Sequence, residues 1–223
     1  MVWIYAQTFR MTVNQLLKSP FAKPVLFSLC LLPLAILVGR GLTGDLGANP
    51  VETITHETGD WVLRFLLITL AITPIRVWTG NTSVVRFRRM LGLYVFFYAC
   101  CHFLIWLIAD HSLDLHDMIE DIIDRPYITF GFSAFILLIP LAITSNNAMI
   151  RKLGKSWKKL HKLVYAILIL GILHYLWLTK ADYLEPGIYA FIATVLLLQR
   201  LPGRKKISKH SRLFSGIAKN QQA

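Results

Sequence analysis

The chain has 223 residues, 55% hydrophobic and only 16% charged, against roughly 25% charged in an average soluble protein. That composition excludes a water-solvated globular domain and points to an integral membrane protein. In a membrane protein the formal charge of +12 is read by where each charge lies rather than by its sum, so it does not argue for nucleic acid.

Residues 1–23 form a cytoplasmic N-terminal lead-in with Arg10, Lys18 and Lys23 among scattered apolar positions. The first apolar run, 24–39, ends at Arg40, whose long side chain reaches the headgroups. A signal peptide is the rival reading, with Leu46-Gly47-Ala48 loosely resembling a cleavage site. A signal h-region spans only about 7 to 15 residues, and five more runs follow, which favours a retained helix. The second run, 61–78, holds Arg64 near one end and Pro74 near the other. The third, 90–109, contains His102, and the fourth, 127–144, follows a polar loop. The fifth, 157–177, contains His161 and His174, and the sixth is the short run 184–198. The expected fold is an all-α integral membrane protein: a six-helix transmembrane bundle over 24–200, followed by a basic cytoplasmic tail over 201–223.

Basic residues give the orientation. Twenty of the 24 lysines and arginines fall in the N-terminal lead-in, the second-to-third loop, the fourth-to-fifth loop and the tail. All twelve acidic residues fall on the other side. The positive-inside rule then places both termini in the cytoplasm. Cys30, Cys100 and Cys101 lie in apolar runs without a C-x-x-C spacing and read as packing residues.

Of seven histidines, only His102, His161 and His174 lie inside the apolar runs. His56, His111 and His116 fall in outer acidic loops or at helix mouths, and His210 in the tail. An imidazole within a membrane is costly unless it faces the bundle interior, so such residues mark functional sites. Axial ligation of haem is the favoured role; a hydrogen-bonded packing role or a proton relay is the plainer one. Thirteen helical residues rise about 20 Å, so His161 and His174 mark two stations across a core of about 30 Å. His102 lies at a depth similar to that of His174, and the two could face each other across one haem. Cys100-Cys101-His102 is not C-x-x-C-H, so b-type rather than covalently attached haem is expected. His161 has no depth-matched partner, since Arg89 stands thirteen residues below His102. A straight helix also puts His161 and His174 about 140° apart; Gly171 is a place where a distortion could relieve this. Arg88 and Arg89 are candidates to pair with haem propionates or a flavin phosphate, or serve only as topology signals.

The outer acidic loop 110–125 reads as a solvated loop or an electrostatic face for an outer partner, more readily than as a metal site. No G-x-G-x-x-G, Walker A or G-x-S-x-G pattern occurs, and about two dozen residues after the sixth run are too few for a nucleotide-binding reductase domain.

The run RKLGKSWKKLHKLVY, followed by His174, resembles the ferric reductase-like transmembrane domain family. GDLGANPVETITHETGDWVLRFLLITLAITPIR, RRMLGLYVFFYACCHF and PLAITSNNAMIRKLGKSWKKLHKLVY are similar to its branch of haem-binding membrane subunits from bacterial periplasmic methionine-sulfoxide reductase systems. The similarity covers nearly residues 10–200. It implies a multi-pass protein of the bacterial inner membrane, with haem b (one or two) linked to His102, His161 and His174, and FMN also associated. It further implies electrons arriving from the quinone pool or a cytosolic flavin reductase. They would pass to a periplasmic molybdopterin-containing catalytic subunit that repairs oxidised methionines, leaving only the relay to this chain. Two other readings stay open: a self-sufficient haem-containing metal or oxygen reductase, and a histidine-dependent proton or metal transporter.

Overall fold

The structure is a computed structural model, and it describes residues 14–110, 112–179 and 183–200. Among these residues all regular structure is helical. Helix α1 spans Ala22–Thr43 and α2 Pro50–Thr79. A 3-10 turn over Thr82–Phe87 leads into α3, Arg88–Ile105, which continues as a π-helical turn over Trp106–Asp110. Helix α4 is Leu115–Asp124, α5 Pro126–Ile143, α6 Asn147–Leu153, α7 Lys155–Leu160, α8 Leu163–Leu178 and α9 Leu184–Leu198.

Five helical stretches are long and apolar enough to cross a membrane: Ala22–Thr43, Pro50–Thr79, Thr82–Asp110, Pro126–Ile143 and Lys155–Leu178. The sixth apolar run is helical too, but Leu184–Leu198 has 15 residues, short of the about 20 that a perpendicular span needs.

Three expectations are corrected. Helix α2 starts eleven residues before the apolar run at Trp61. Asn49 caps it by accepting from the Glu52 amide, and Pro50 occupies the first helical position. Its polar first turns therefore extend a helix of 30 residues, about 45 Å, beyond the hydrocarbon core. The acidic loop is not simply solvated coil but contains α4. Asp114 caps that helix by accepting from the His116 and Asp117 amides, and Leu115, Met118, Ile119, Ile122 and Ile123 fall at helical spacing. The fifth apolar run is broken rather than continuous: α7 ends at His161, and His161–Lys162 form a turn before α8. Gly171, a place where a distortion could have relieved the phase difference, stays helical, and a Cβ there would meet Leu63 Cδ2 at 3.2 Å.

Two helical hairpins build the centre. Helix α2 packs along α3, and α5 along α8; α3–α5 and α2–α8 contacts join the pairs into a four-helix bundle with α3 and α8 at opposite corners. Leu66, Leu70, Val95, Tyr98, Leu168 and Ile167 fill its middle. Helix α9 packs on α8 and α2, and α1 leans on α2 and α3. Leu29, Leu32, Ile36, Ile169 and Phe191 face outward, as lipid-facing positions do.

Helix α1 is held by two tyrosines of α3. Tyr94 Oη donates to the Phe27 carbonyl at 2.8 Å. Tyr98 Oη donates to the Cys30 carbonyl at 2.9 Å and accepts from the Leu34 amide at 3.2 Å. It thus bridges a 30/34 backbone pair beside Pro33, whose missing N–H loosens the ladder there.

Candidate functional site

His102 on α3 and His174 on α8 meet across the bundle, with ring centroids 6.2 Å apart and planes at 79°. Both are half-buried. Each ring is tied by the same kind of bond. His102 Nδ1 lies 3.0 Å from the Thr55 carbonyl on α2, and His174 Nδ1 lies 2.7 Å from the Tyr127 carbonyl on α5. A carbonyl only accepts, so both Nδ1 atoms carry the proton. In the neutral ring that leaves Nε2 as the free lone pair, the tautomer required of a metal ligand.

Two glycines make these bonds possible. In a helix the carbonyl of residue i faces the amide of i+4, and four residues after Thr55 and Tyr127 stand Gly59 and Gly131. A Cβ on Gly59 would sit 3.1 Å from His102 Cε1, and one on Gly131 2.8 Å from His174 Nδ1. Without a side chain at these positions, each imidazole lies flat against the neighbouring helix and reaches its carbonyl.

The two halves repeat. Each histidine lies 47 residues after the carbonyl that holds it and 43 after the glycine that seats it. The sequence carries a related signal one residue out of register: Leu66 to Thr73 reads LLITLAIT and Leu137 to Thr144 reads LLIPLAIT, 71 residues apart, where the site residues of the two halves are 72 apart. Thr55, Gly59, Tyr127 and Gly131 are site residues that reading histidines alone misses.

The spacing suits one metal ion between the rings. Two metal-to-imidazole bonds of about 2 Å, plus about 1 Å from each ring centre to its nitrogen, come to about 6 Å. Aromatic side chains gather alongside: Phe103 stacks on Phe135 at 4.7 Å and touches Phe132 and Trp106.

His161 is arranged differently. Trp157 stacks on it at 3.9 Å between ring centroids and donates Nε1–H to the Thr144 carbonyl at 2.9 Å. Thr144 Oγ1 donates to the Pro140 carbonyl at 2.6 Å, leaving the hydroxyl to accept from His161 Nε2 at 3.0 Å. His161 thus stands apart from the central pair, at the other end of α8. The two candidate arginines part company. Arg88 lies within electrostatic reach of His161, whereas Arg89 donates to Asn147 Oδ1 at 2.5 Å.

On the far side, His116, Asp117 and Glu120 on α4 bring their ligand atoms within 4.8 Å of one another, all exposed. His56 lies in the first turns of α2. His111, Lys180, His210 and the tail over 201–223 lie outside the described residues.

Residues 58–172 match the family described as ferric reductase like transmembrane component. That stretch runs from Thr58, beside the first glycine seat, to two residues before His174, and the chain is a multi-pass membrane protein of this class. Curated relatives are named protein-methionine-sulfoxide reductase heme-binding subunit MsrQ. The one from Herminiimonas arsenicoxydans is 54% identical over 182 residues, 80% of this chain and 84% of its own. That from Ralstonia nicotianae is 54% identical over 76% of this chain and 79% of its own. The Xanthomonas euvesicatoria protein is 47% identical over 85% and 92% respectively. The chain belongs to the MsrQ family within the ferric reductase-like transmembrane proteins. No solved structure matches it.

Proposed function

We propose that this chain is the haem-binding membrane subunit of a protein-methionine-sulfoxide reductase system and relays electrons across the bacterial inner membrane. The observation that carries this reading is the pair of imidazoles 6.2 Å apart, each with Nδ1 fixed on a backbone carbonyl and Nε2 free. Their donor set suits an octahedral iron in a flat macrocycle. His102 and His174 would be the axial ligands, and without cysteine attachment the group would be haem b. Bound there, haem supplies one-electron transfer.

The role of the protein is then positional. The carbonyls of Thr55 and Tyr127 fix tautomer and ring direction, and the hairpins hold the rings so that little rearrangement accompanies a change of iron charge. His161 and Arg88, with Arg89 nearby, would form the inner cofactor station, for a second haem or for FMN. Six crossings, with α9 as the last, leave both termini cytoplasmic on the positive-inside count. Residues 24–200 are the haem-binding unit, preceded by the lead-in over 1–23 and followed by the basic tail over 201–223. Electrons would enter from the quinone pool or a cytosolic flavin reductase and leave to a periplasmic molybdopterin-containing catalytic subunit. The sulfoxide chemistry resides in that partner, a role supported by the names of the relatives.

The visible spectrum of the purified chain after haem-replete expression tests the cofactor. A Soret band with sharp reduced-state α and β bands is expected; no Soret band overturns the reading, and proton or metal flux in liposomes without haem would replace it with a transporter. Copurification of a molybdopterin protein tests the relay.

A further inference from the structure

Three arginines from three helices converge at the His161 end of the bundle. Arg76 is in the last turn of α2, Arg88 opens α3, and Arg200 follows α9. Arg88 is within electrostatic reach of Arg76, Arg200 and Tyr165. Arg200 is held: its Nη1 donates to Tyr165 Oη at 3.0 Å, its Nη2 donates to the Leu70 carbonyl, and its guanidinium lies 5.3 Å from the Tyr165 ring centroid. Its buried Nε has no hydrogen-bond partner among the described residues. The exposed guanidiniums of Arg76 and Arg88 show no hydrogen bond or ion pair among the described residues. Because Tyr165 accepts from Arg200, its own O–H is left to donate.

No Asp or Glu side chain among the described residues at this end supplies a counter-charge for this cluster. Stretches 1–44, 61–109, 125–181 and 186–223 contain no Asp or Glu, and every residue at this end belongs to one of them. The nearest carboxylates along the same helices are Asp60, sixteen residues before Arg76, and Glu185, fifteen before Arg200. Both are more than about 20 Å away by helical rise. Arg200 is half-buried and Arg76 and Arg88 are exposed; like charges gathered at one helix mouth repel, and an anion joining them relieves that repulsion. A tetrahedral oxyanion accepts from several guanidiniums and a hydroxyl at once.

We propose that Arg76, Arg88 and Arg200, with the Tyr165 hydroxyl, form a binding site for a phosphate group brought into the membrane interface by a ligand from outside the chain. The site shares Arg88 with the inner cofactor station proposed above, and it does not depend on haem at His102 and His174. Its ligand is a phospholipid headgroup or a soluble phosphate compound, and one experiment separates the two. The full chain is placed in nanodiscs of phosphatidylcholine alone or doped with phosphatidylglycerol. Native mass spectrometry then counts retained lipid, and thermal melting is followed with inorganic phosphate against chloride at equal ionic strength. Preferential retention of phosphatidylglycerol assigns a lipid. Phosphate-specific stabilisation without lipid preference assigns a soluble ligand. In either case Arg88→Gln and Arg76→Gln each reduce the effect about tenfold, and Lys158→Gln, an exposed cation at the same end, leaves it unchanged. Arg200→Gln is expected to do the same, but its bonds also support the fold, so the other two variants decide. Neither preference in the wild type, or an equal effect of Lys158→Gln, overturns the proposal.

Discussion

A methyl group at position 131 would stand 2.8 Å from His174 Nδ1, closer than at position 59, where the nearest ring atom of His102 is 3.1 Å away. Neither contact has slack, because the hydrogen bond that holds each ring draws it against the same helix face that carries the glycine. Gly131→Ala is therefore expected to push the His174 ring off the Tyr127 carbonyl at a cost of about 1–3 kcal/mol, with Gly59→Ala milder. The haem-to-protein ratio after purification measures this, and full retention by Gly131→Ala would show that the seat is dispensable. These residues also show what sequence reading reaches. The histidines stand out because an imidazole is costly in an apolar run. A glycine in a membrane helix does not stand out, and its importance comes from a partner 43 residues away.

Among the elements, the break between α7 and α8 was least legible. WKKLHKL carries no glycine or proline and reads as continuous helix; the turn at His161 comes with tertiary contacts, the Trp157 indole bonding the Thr144 carbonyl while stacking on the imidazole. The 140° phase difference expected of a straight helix does not apply across that turn. Helix α4, by contrast, was legible from Asp114 followed by five apolar residues at helical spacing, and was obscured by the acidity around them. The attachment of α1 is a property of the α1–α3 contact. Tyr98→Phe removes the hydroxyl that bonds both the Cys30 carbonyl and the Leu34 amide, and with it two hydrogen bonds between the helices. A loss of about 1–3 kcal/mol is expected, read as a lower melting temperature and faster proteolysis between α1 and α2. An unchanged melting curve would mean that Pro33 alone sets the local geometry.

At the scale of the molecule, the six apolar runs were visible in composition, and each is helical. Their pairing was not, because mean hydropathy does not say which helix faces which. Charge placement sets the expected orientation, and a reporter fused after residue 223 should be active only as a cytoplasmic fusion; a periplasmic signal would invert the direction of electron flow proposed here. The central claim, one iron shared between two hairpins, is tested most directly by low-temperature electron paramagnetic resonance. The spectra to compare are those of the oxidised chain and its His102→Ala, His174→Ala and His161→Ala variants. The wild type should show a low-spin ferric signal of bis-imidazole type, lost in both His102→Ala and His174→Ala and kept in His161→Ala. Survival of that signal in either of the first two variants would contradict the shared site.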